Sequence, residues 1–404
     1  MSFFGLVLIG ASAFLLNENM NFPGWVALVP TIGSALILSG NMGSWINKYF
    51  LGNKLASSIG LISYPLYLWH WPILVFLKEL RVTPTTIEKA LALALAFILS
   101  IGTYWLIEKP IRFKKAVRIR TLVFAMFLCV IAGAVTVRTD GLTSRYIGFD
   151  AIDLTNFDQT KYWPFHSCYM QADMGDTDIP NRAACIKGQG NKTILVWGDS
   201  FAAAFYSGLY LQPDLLTIRH VLLAANSCPP LMNWGSINNQ NCPEINKGTL
   251  SFIREHKPDI VILHANWASP PPSVYPLDQL RQTIRILKQA GIQKIILVGM
   301  PPTYSSSLSK ILLNETRKDN AVPERISIGV EREKAKDNDL LLSKIASDEK
   351  IDFISAFDQM CDSSTCLARI GSGQWSIASF DAGHLTPTAS AWLIKKIEPF
   401  VLEK

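Results

Sequence analysis

The chain has 404 residues, seven cysteines and a formal charge of +6, and 49% of its residues are hydrophobic. That length allows two or three domains, and the apolar content gathers in roughly the first 140 residues, which carry few acids; a uniformly water-soluble protein is excluded. Much of the basic excess sits in one short segment, Lys109, Arg112, Lys114, Lys115, Arg118 and Arg120. A clustered loop of that kind orients membrane helices and is not a nucleic-acid signal.

Five apolar stretches are candidate spans: Phe3 to Leu16, Trp25 to Leu38, Ile59 to Phe76, Ile87 to Ile107 and Thr121 to Val137. A bilayer core needs about 20 mostly apolar residues, which the last two approach best. The first two are short or Gly-interrupted and fit tilted spans or buried helices. The basic loop between the fourth and fifth stretches is expected on the cytoplasmic side, with Lys48 and Lys54, so everything after about Arg138 falls on the far side. Met1 enters an apolar stretch without a basic n-region or a small-residue cleavage site, so no cleavable signal is expected. His70 lies among Tyr67, Trp69 and Trp71, which favour headgroup depth, and is assigned no chemistry; Glu108-Lys109 is expected to cap the fourth helix.

Residues 139–191 turn polar and aperiodic and read as a linker plus extension, tied down by Cys168 and Cys185. Beyond them strands and helices alternate. Strands are expected at Thr193–Trp197, Arg219–Ala224, Asp259–His264, Lys294–Val298 and Asp352–Ile354. Helices are expected at Ala202–Leu211, Thr249–Glu255, Leu277–Gln289, over most of Glu324–Ala346, and at Ala389–Phe400. Strands rich in Ile, Val and Leu without strict alternation are buried on both faces, and alternating β and α elements make a parallel sheet flanked by helices. Pro270-Pro271-Pro272 reads as a rigid turn.

Cys129 lies in the fifth apolar stretch and reads as a small hydrophobe. The other six cysteines all follow the membrane part. Six allow 15 pairings; proximity suggests Cys168–Cys185, Cys228–Cys242 and Cys361–Cys366. An even set confined to an exported part suits an oxidising compartment. No Cys-x-x-Cys pair or histidine cluster accompanies them, so no metal is expected.

Two motifs carry the chemistry. Trp197-Gly198-Asp199-Ser200 closes an apolar strand, which puts Ser200 at the carboxyl end of the sheet, where ligands bind in open α/β folds. Phe380-Asp381-Ala382-Gly383-His384-Leu385-Thr386 places an acid three residues before a histidine, so both can share one turn. A serine hydroxyl becomes a nucleophile when an imidazole takes its proton and a carboxylate fixes the imidazole tautomer. The expected catalytic set is therefore Ser200, His384 and Asp381, with the Ser200 N–H as one oxyanion donor.

The early Gly-Asp-Ser and late Asp-x-x-His resemble the first and last blocks of the SGNH hydrolase/acyltransferase superfamily. That resemblance implies a second oxyanion donor after the third strand, where Asn266 stands, although the surrounding residues are not the usual Gly-x-Asn-Asp. The loop Asn226-Ser227-Cys228-Pro229-Pro230 stands where a glycine is usual; a backbone N–H at Ser227 or Cys228 is the expected substitute. His264 and Trp267 are expected to line the acceptor pocket, Trp267 by stacking on a sugar. His166, His220 and His256 have no motif around them and read as surface or satisfied histidines.

In the membrane part, Ser63-Tyr64-Pro65-Leu66-Tyr67-Leu68-Trp69-His70-Trp71-Pro72 and Ile107-Glu108-Lys109-Pro110-Ile111-Arg112 resemble the later helices of membrane acyltransferase-3 proteins, some of which carry an SGNH domain outside the membrane. The expected layout is 1–138, an N-terminally incomplete acyltransferase-3-like bundle of about five spans; 139–191, a periplasmic linker; and 192–404, an SGNH-like α/β domain. Nothing in residues 1–60 matches the catalytic motifs of that family's first helices, so missing helices or a separate acyltransferase subunit are expected partners.

The resemblance implies a bacterial inner-membrane O-acyltransferase, most simply an O-acetyltransferase, that modifies a sugar hydroxyl of a cell-surface polysaccharide or lipopolysaccharide. Acetyl-CoA would be the donor of the complete membrane system, with no cofactor bound by the SGNH domain, and the bilayer and the glycan acceptor would be its partners. The alternatives are a periplasmic carbohydrate esterase with the same site and a non-catalytic partner of a separate acyltransferase.

Single cysteines placed at Lys115 and in the 140–160 segment, in a background without other reactive thiols, should respond oppositely to a membrane-impermeant label on intact cells. The second site should react and the first should not. Labelling of Lys115→Cys alone would invert the topology and end the surface-glycan reading.

Overall fold

The apolar runs of the N-terminal third form helices, in which every peptide group can be satisfied within its own segment. The computed structural model describes residues 1–404 apart from 17–23, 41–43, 82–83, 115–118, 140–160, 165–167, 176–181, 213–217, 236–237, 269–276, 320–321, 372–375 and 403–404. The chain divides into two units, one of residues 1–80 and 84–138, the other of 139–404 with 81–83. Lys115 and Arg118, the triple proline and most of the expected linker lie outside the described residues.

The first unit contains α1 (Ser2–Leu15), α2 (Leu28–Ser39), α3 (Lys54–Leu80), α4 (Thr86–Thr103), α5 (Lys109–Lys114) and α6 (Ile119–Arg138). Among the described residues, three helical stretches, Lys54–Leu80, Thr86–Arg112 and Arg120–Arg138, are long and apolar enough to cross a membrane; Ser2–Leu15 and Trp25–Ser39 are shorter apolar helices. α1 and α2 approach closely at Gly5 and Gly33, where a Cβ on Gly5 would strike the Gly33 carbonyl, the small-residue contact typical of membrane helices. The Trp69 indole N–H donates to Thr103 Oγ1 at 2.9 Å, linking α3 to α4.

One expectation changes here. Glu108-Lys109 does not end the fourth helix: a π-helical turn over Tyr104–Glu108 leads directly into α5. Glu108 pairs with Arg112 one turn on, at 3.4 Å, and the Lys109 ammonium sits 3.7 Å from the Trp105 ring centroid. His70 accepts no role beyond its own helix, its Nδ1 lying 3.0 Å from the Leu66 carbonyl.

The second unit runs β1 (Tyr169–Met170), β2 (Ile186–Lys187), β3 (Thr193–Gly198), α7 (Ser200–Tyr206), β4 (Arg219–Ala225), α8 (Cys242–His256), β5 (Ile260–His264), α9 (Leu277–Gln289), β6 (Lys294–Val298), α10 (Leu308–Asp319), β7 (Arg325–Ile326), α11 (Arg332–Asp348), β8 (Asp352–Ile354), α12 (Ala356–Met360), β9 (Cys366–Leu367) and α13 (Pro387–Leu402). The main sheet has the order β1-β4-β3-β5-β6-β8, with β2 antiparallel against β4 and the rest parallel. β7 and β9 form a separate antiparallel pair. Both faces of the sheet are buried: Ile194, Val196 and Ile262 pack to one side, Leu195, Trp197 and Leu263 to the other. That double burial is why the strands read as continuous apolar runs.

β3 lies between β4 and β5, so the chain leaves it in one direction and later returns on its other side. A crevice opens at such a reversal of strand order, and Ser200 begins the helix there.

Several elements differ from expectation: α8 begins at Cys242 rather than Thr249, and α10 has no counterpart among the expected helices. Tyr169–Met170 and Ile186–Lys187 are part of the sheet rather than of an extension outside it: the first two pair with Ala224 and Ala225, the second two with Val221 and His220. Two-residue strands have no readable periodicity. Within Glu324–Ala346 the helix starts only at Arg332, because Arg325–Ile326 pairs as a strand and Gly329 adopts a φ of +73°. The sulfurs join Cys168 to Cys185, Cys228 to Cys242 and Cys361 to Cys366, with Cα separations of 5.6, 5.3 and 4.0 Å.

A buried amide couples the sheet to α8. Asn246 on α8 accepts from the Trp197 indole at 3.0 Å and donates to the Pro229 and Leu231 carbonyls at 2.9 and 3.0 Å. Asn246→Ala would strand the Trp197 indole N–H and the Leu231 carbonyl, at about 1–3 kcal/mol each if unrelieved, while the Pro229 carbonyl keeps the Leu231 N–H. The full chain in detergent should then melt several degrees lower, since one kcal/mol moves the midpoint of a domain this size by roughly 2–4 °C; an unchanged midpoint would show that water replaces both bonds.

Candidate active site

Gly198 ends β3 because nothing larger fits: a Cβ there would collide with the His264 carbonyl of β5. The chain then turns at Asp199, the N-cap of α7. Its Oδ1 accepts the Phe201 N–H at 2.8 Å and its Oδ2 the Asn266 N–H at 2.9 Å. One carboxylate thus fixes the start of α7 and the end of β5. Burial pushes the Asp199 pKa up to about 6, against the pull of the Asn266 and Phe201 N–H groups and of nearby His384.

The second half of the site is the loop before α13. Asp381 Oδ1 accepts the N–H groups of Gly383 and His384, both at 2.8 Å. The loop is anchored by Tyr304 and Leu308, whose N–H groups donate to the Ala382 and Asp381 carbonyls at 2.8 and 2.9 Å. His384 Nδ1 lies 2.6 Å from Asp381 Oδ2, and its Nε2 lies 2.8 Å from Ser200 Oγ. Burial works to raise the Asp381 pKa, but the hydrogen bond from His384, its charge and the two N–H groups outweigh that and hold the carboxyl below its ordinary value. Asp381 is therefore ionised and accepts, so Nδ1 carries the proton and Nε2 is left to accept from the Ser200 hydroxyl.

Aromatic rings hold this imidazole. Phe201 lies 4.4 Å away between centroids, Phe380 stacks at 5.5 Å with planes 13° apart, and Trp163 approaches to 6.0 Å. Ser200 and His384 open onto a cleft of about 500 Å³ that is also lined by Trp163, Tyr169, Gln171, Ala172, Asp173 and Asn226. Sequence reasoning missed the first five of these; Asn226 opens the loop it assigned to the site, though for the backbone N–H of Ser227 or Cys228 rather than for its own side chain. The segment that supplies those five has no helical or strand periodicity; the signal that could have found it is Cys168, which ties it to the domain.

The structure brings Ser200, His384 and Asp381 together and places two other expected residues elsewhere. Trp267 is 2% exposed and its indole donates to the Val298 carbonyl at 2.8 Å, so it does not line the cleft. His264 is equally buried, packed 5.4 Å from Phe205 and 6.4 Å from Phe201, with Nδ1 3.2 Å from the Val298 carbonyl. Both follow a strand whose sides face the core, which leaves a bulky ring no route outward. Asn266 is half-buried; its side-chain oxygen accepts from Ala268 at 3.3 Å, and it is not among the residues lining this cleft. The Cys228 N–H is taken by the Ala225 carbonyl at 3.1 Å, while Ser227 adopts a φ of +53°. His220 is buried, against Tyr206.

Comparison with known proteins places the motifs in context. The SGNH domain family, described as fused to AT3 domains, matches residues 167–399. No curated protein matches the chain. Among solved structures, the periplasmic domain of the Salmonella ser. Paratyphi A lipopolysaccharide acetyltransferase shares 26% identity, covering 58% of this chain and 91% of its own, with a TM-score of 0.52. The M. Smegmatis aryl esterase, at 15% identity over 52% of this chain and all of its own, superposes with a TM-score of only 0.33.

Burial pushes the His264 pKa down to about 4, so the folded state binds fewer protons than the unfolded chain between that value and 6.5. Its contribution is complete above 6.5 and is lost as pH falls toward 4. Asp199, raised to about 6, acts oppositely: its contribution is complete below its ordinary value and is lost as pH rises through 6. His264→Gln removes the first effect alone. The stability gap between wild type and this variant should therefore narrow by up to about 3 kcal/mol from pH 6.5 to pH 4. Thermal melts at the two pH values read it; a gap that widens toward acid would contradict a buried neutral His264.

Proposed function

Since the chain belongs to the SGNH-domain family found fused to AT3 domains, we propose that it transfers an acyl group, most simply acetyl, to a sugar hydroxyl of a cell-surface polysaccharide or lipopolysaccharide. The observation that carries the reading is the continuous Ser200–His384–Asp381 hydrogen-bond chain at the mouth of an open cleft. Its likeness to the periplasmic domain of a lipopolysaccharide acetyltransferase favours transfer. Apolar helices and disulfides are compatible with a membrane protein whose C-terminal unit faces an oxidising, periplasmic space.

In this reading Ser200 Oγ attacks the carbonyl carbon of an acyl donor as His384 Nε2 takes the hydroxyl proton, and Asp381 stabilises the imidazolium. The oxyanion faces the Ser200 N–H. Collapse breaks the bond to the leaving group, which leaves with the proton from His384, and an ester remains on Ser200. The sugar hydroxyl then gives its proton to His384 and attacks that ester; Ser200 recovers the proton as the acylated sugar departs. Acetyl-CoA on the cytoplasmic side is the donor of the complete membrane system, and helices or a subunit beyond this chain would carry the group across.

The half-exposed His384 and Asp381, 22% and 43% open, favour one second reading: water reaches the ester as readily as a sugar does, and the site then works as a carbohydrate esterase. Both readings require acyl-Ser200. The full chain in detergent should cleave small acetyl esters slowly, and Ser200→Ala should lower that rate by at least about 10³-fold. Undiminished, active-site-dependent cleavage by Ser200→Ala would move the nucleophile elsewhere.

A further inference from the structure

Past Ser200 and His384 the cleft continues along a wall built from the segment that precedes β3. Tyr169 and Met170 pair with Ala224 and Ala225 at the sheet edge, and the Asn226 N–H donates to the Met170 carbonyl at 2.8 Å. Gln171 and Asp173 are thereby set beside Asn226 on one side of the cleft, with Trp163 and Tyr169, 5.1 Å apart between centroids, behind them. The Cys168–Cys185 bond clamps the base of this wall. Asp173 and Asn226 are exposed and Gln171 half-buried, so their polar ends meet solvent, whereas Trp163 and Tyr169 are almost wholly buried.

The composition of the wall selects a class of ligand. A cleft of about 500 Å³ lies within the roughly 300–1,000 Å³ of small-molecule sites and exceeds what an acetyl group requires. Gln171 and Asn226 each offer both donor and acceptor atoms, and Asp173 offers acceptors only; such a set matches vicinal hydroxyls, which donate and accept at fixed spacing. The aromatic rings behind them add an apolar contact for the carbon skeleton of a ring. No lysine or arginine lines the cleft among the described residues, and its charged side chain away from the Ser200–His384 end is the Asp173 carboxylate. An anionic sugar would face repulsion there with no cation to offset it.

Resting on the acyl-transfer reading for the role of the bound ring, we propose that Gln171, Asp173 and Asn226, backed by Trp163 and Tyr169, form an acceptor subsite that holds an uncharged pyranose ring with its hydroxyls toward Ser200. Acidic sugars are excluded by Asp173. The ring binds whether or not an acyl group is present, so the subsite is separable from the chemistry.

The test uses the full chain in detergent carrying Ser200→Ala, so that nothing turns over. Saturation-transfer NMR would be recorded with methyl α-D-glucopyranoside, methyl α-D-galactopyranoside and methyl α-D-mannopyranoside, and with methyl α-D-galactopyranosiduronate as the charged probe. At least one neutral glycoside should receive saturation, the uronate should bind about tenfold more weakly than its neutral parent, and Asp173→Asn, nearly isosteric, should remove that difference. Adding Gln171→Ala together with Asp173→Ala should weaken the neutral ring about tenfold or more, with the thermal midpoint monitoring the fold. The proposal is overturned if no neutral glycoside binds, if the uronate binds equally well, or if a folded double variant binds unchanged. A ring that binds this subsite in a protein whose ester cleavage does not depend on Ser200 would refute the acyl-Ser200 chemistry and leave the subsite standing.

Discussion

Asp199 joins the carboxyl ends of two neighbouring parallel strands, β3 and β5. Its two carboxylate oxygens take N–H groups from Phe201 and Asn266, which fixes Ser200 between the end of β3 and the end of β5. The arrangement needs the strands in close contact, and Gly198 permits it by presenting no Cβ to the His264 carbonyl. An error of one ångström here would take Ser200 Oγ out of reach of His384, and misplacements of that size cost about 10²-fold in positioned reactions. Burying a carboxylate disfavours its charge, which the raised pKa near 6 records; two N–H donors offset that burial.

The partner half is fixed independently of β3. Asp381 orders its own loop by accepting two successive N–H groups, and the Tyr304 and Leu308 N–H groups hold the loop against the helical layer. His384 arrives already oriented, its ring confined by Phe201 and Phe380. Two rigid halves meeting at one hydrogen bond need little reorganisation when charge develops on the imidazole, which is the condition for electrostatic stabilisation in a polar site.

The disulfides do local work consistent with this division. Each closes a short loop, of 17, 14 and 5 residues in sequence separation, and each holds a segment too short to be held by regular structure. Cys168–Cys185 matters most for the cleft, since Tyr169 and Trp163 form one wall and β1 itself is only two residues long. A two-residue strand contributes few backbone bonds, and a covalent tie reduces the freedom of the unfolded segment it must compete with.

Much of this was legible in the linear chain. Apolar runs gave the membrane helices and the buried strands, because both are dictated by local burial. The Gly-Asp-Ser and Asp-x-x-His motifs pointed to Ser200, Asp381 and His384 because each motif is a local turn with its own hydrogen bonds. What depended on contacts far apart in the chain was not legible. The helical start at Arg332, the sheet pairing of Tyr169–Met170 and Ile186–Lys187, and the Phe201 ring against His384 are decided by partners tens to hundreds of positions away. His264 and Trp267 show the limit most directly: position after a strand fixes that a side chain is near the site, while only the packing of α7 and β6 decides whether it faces the cleft or the core. A side chain's direction at a strand end is a tertiary quantity, because its two faces are equivalent until other elements cover one of them.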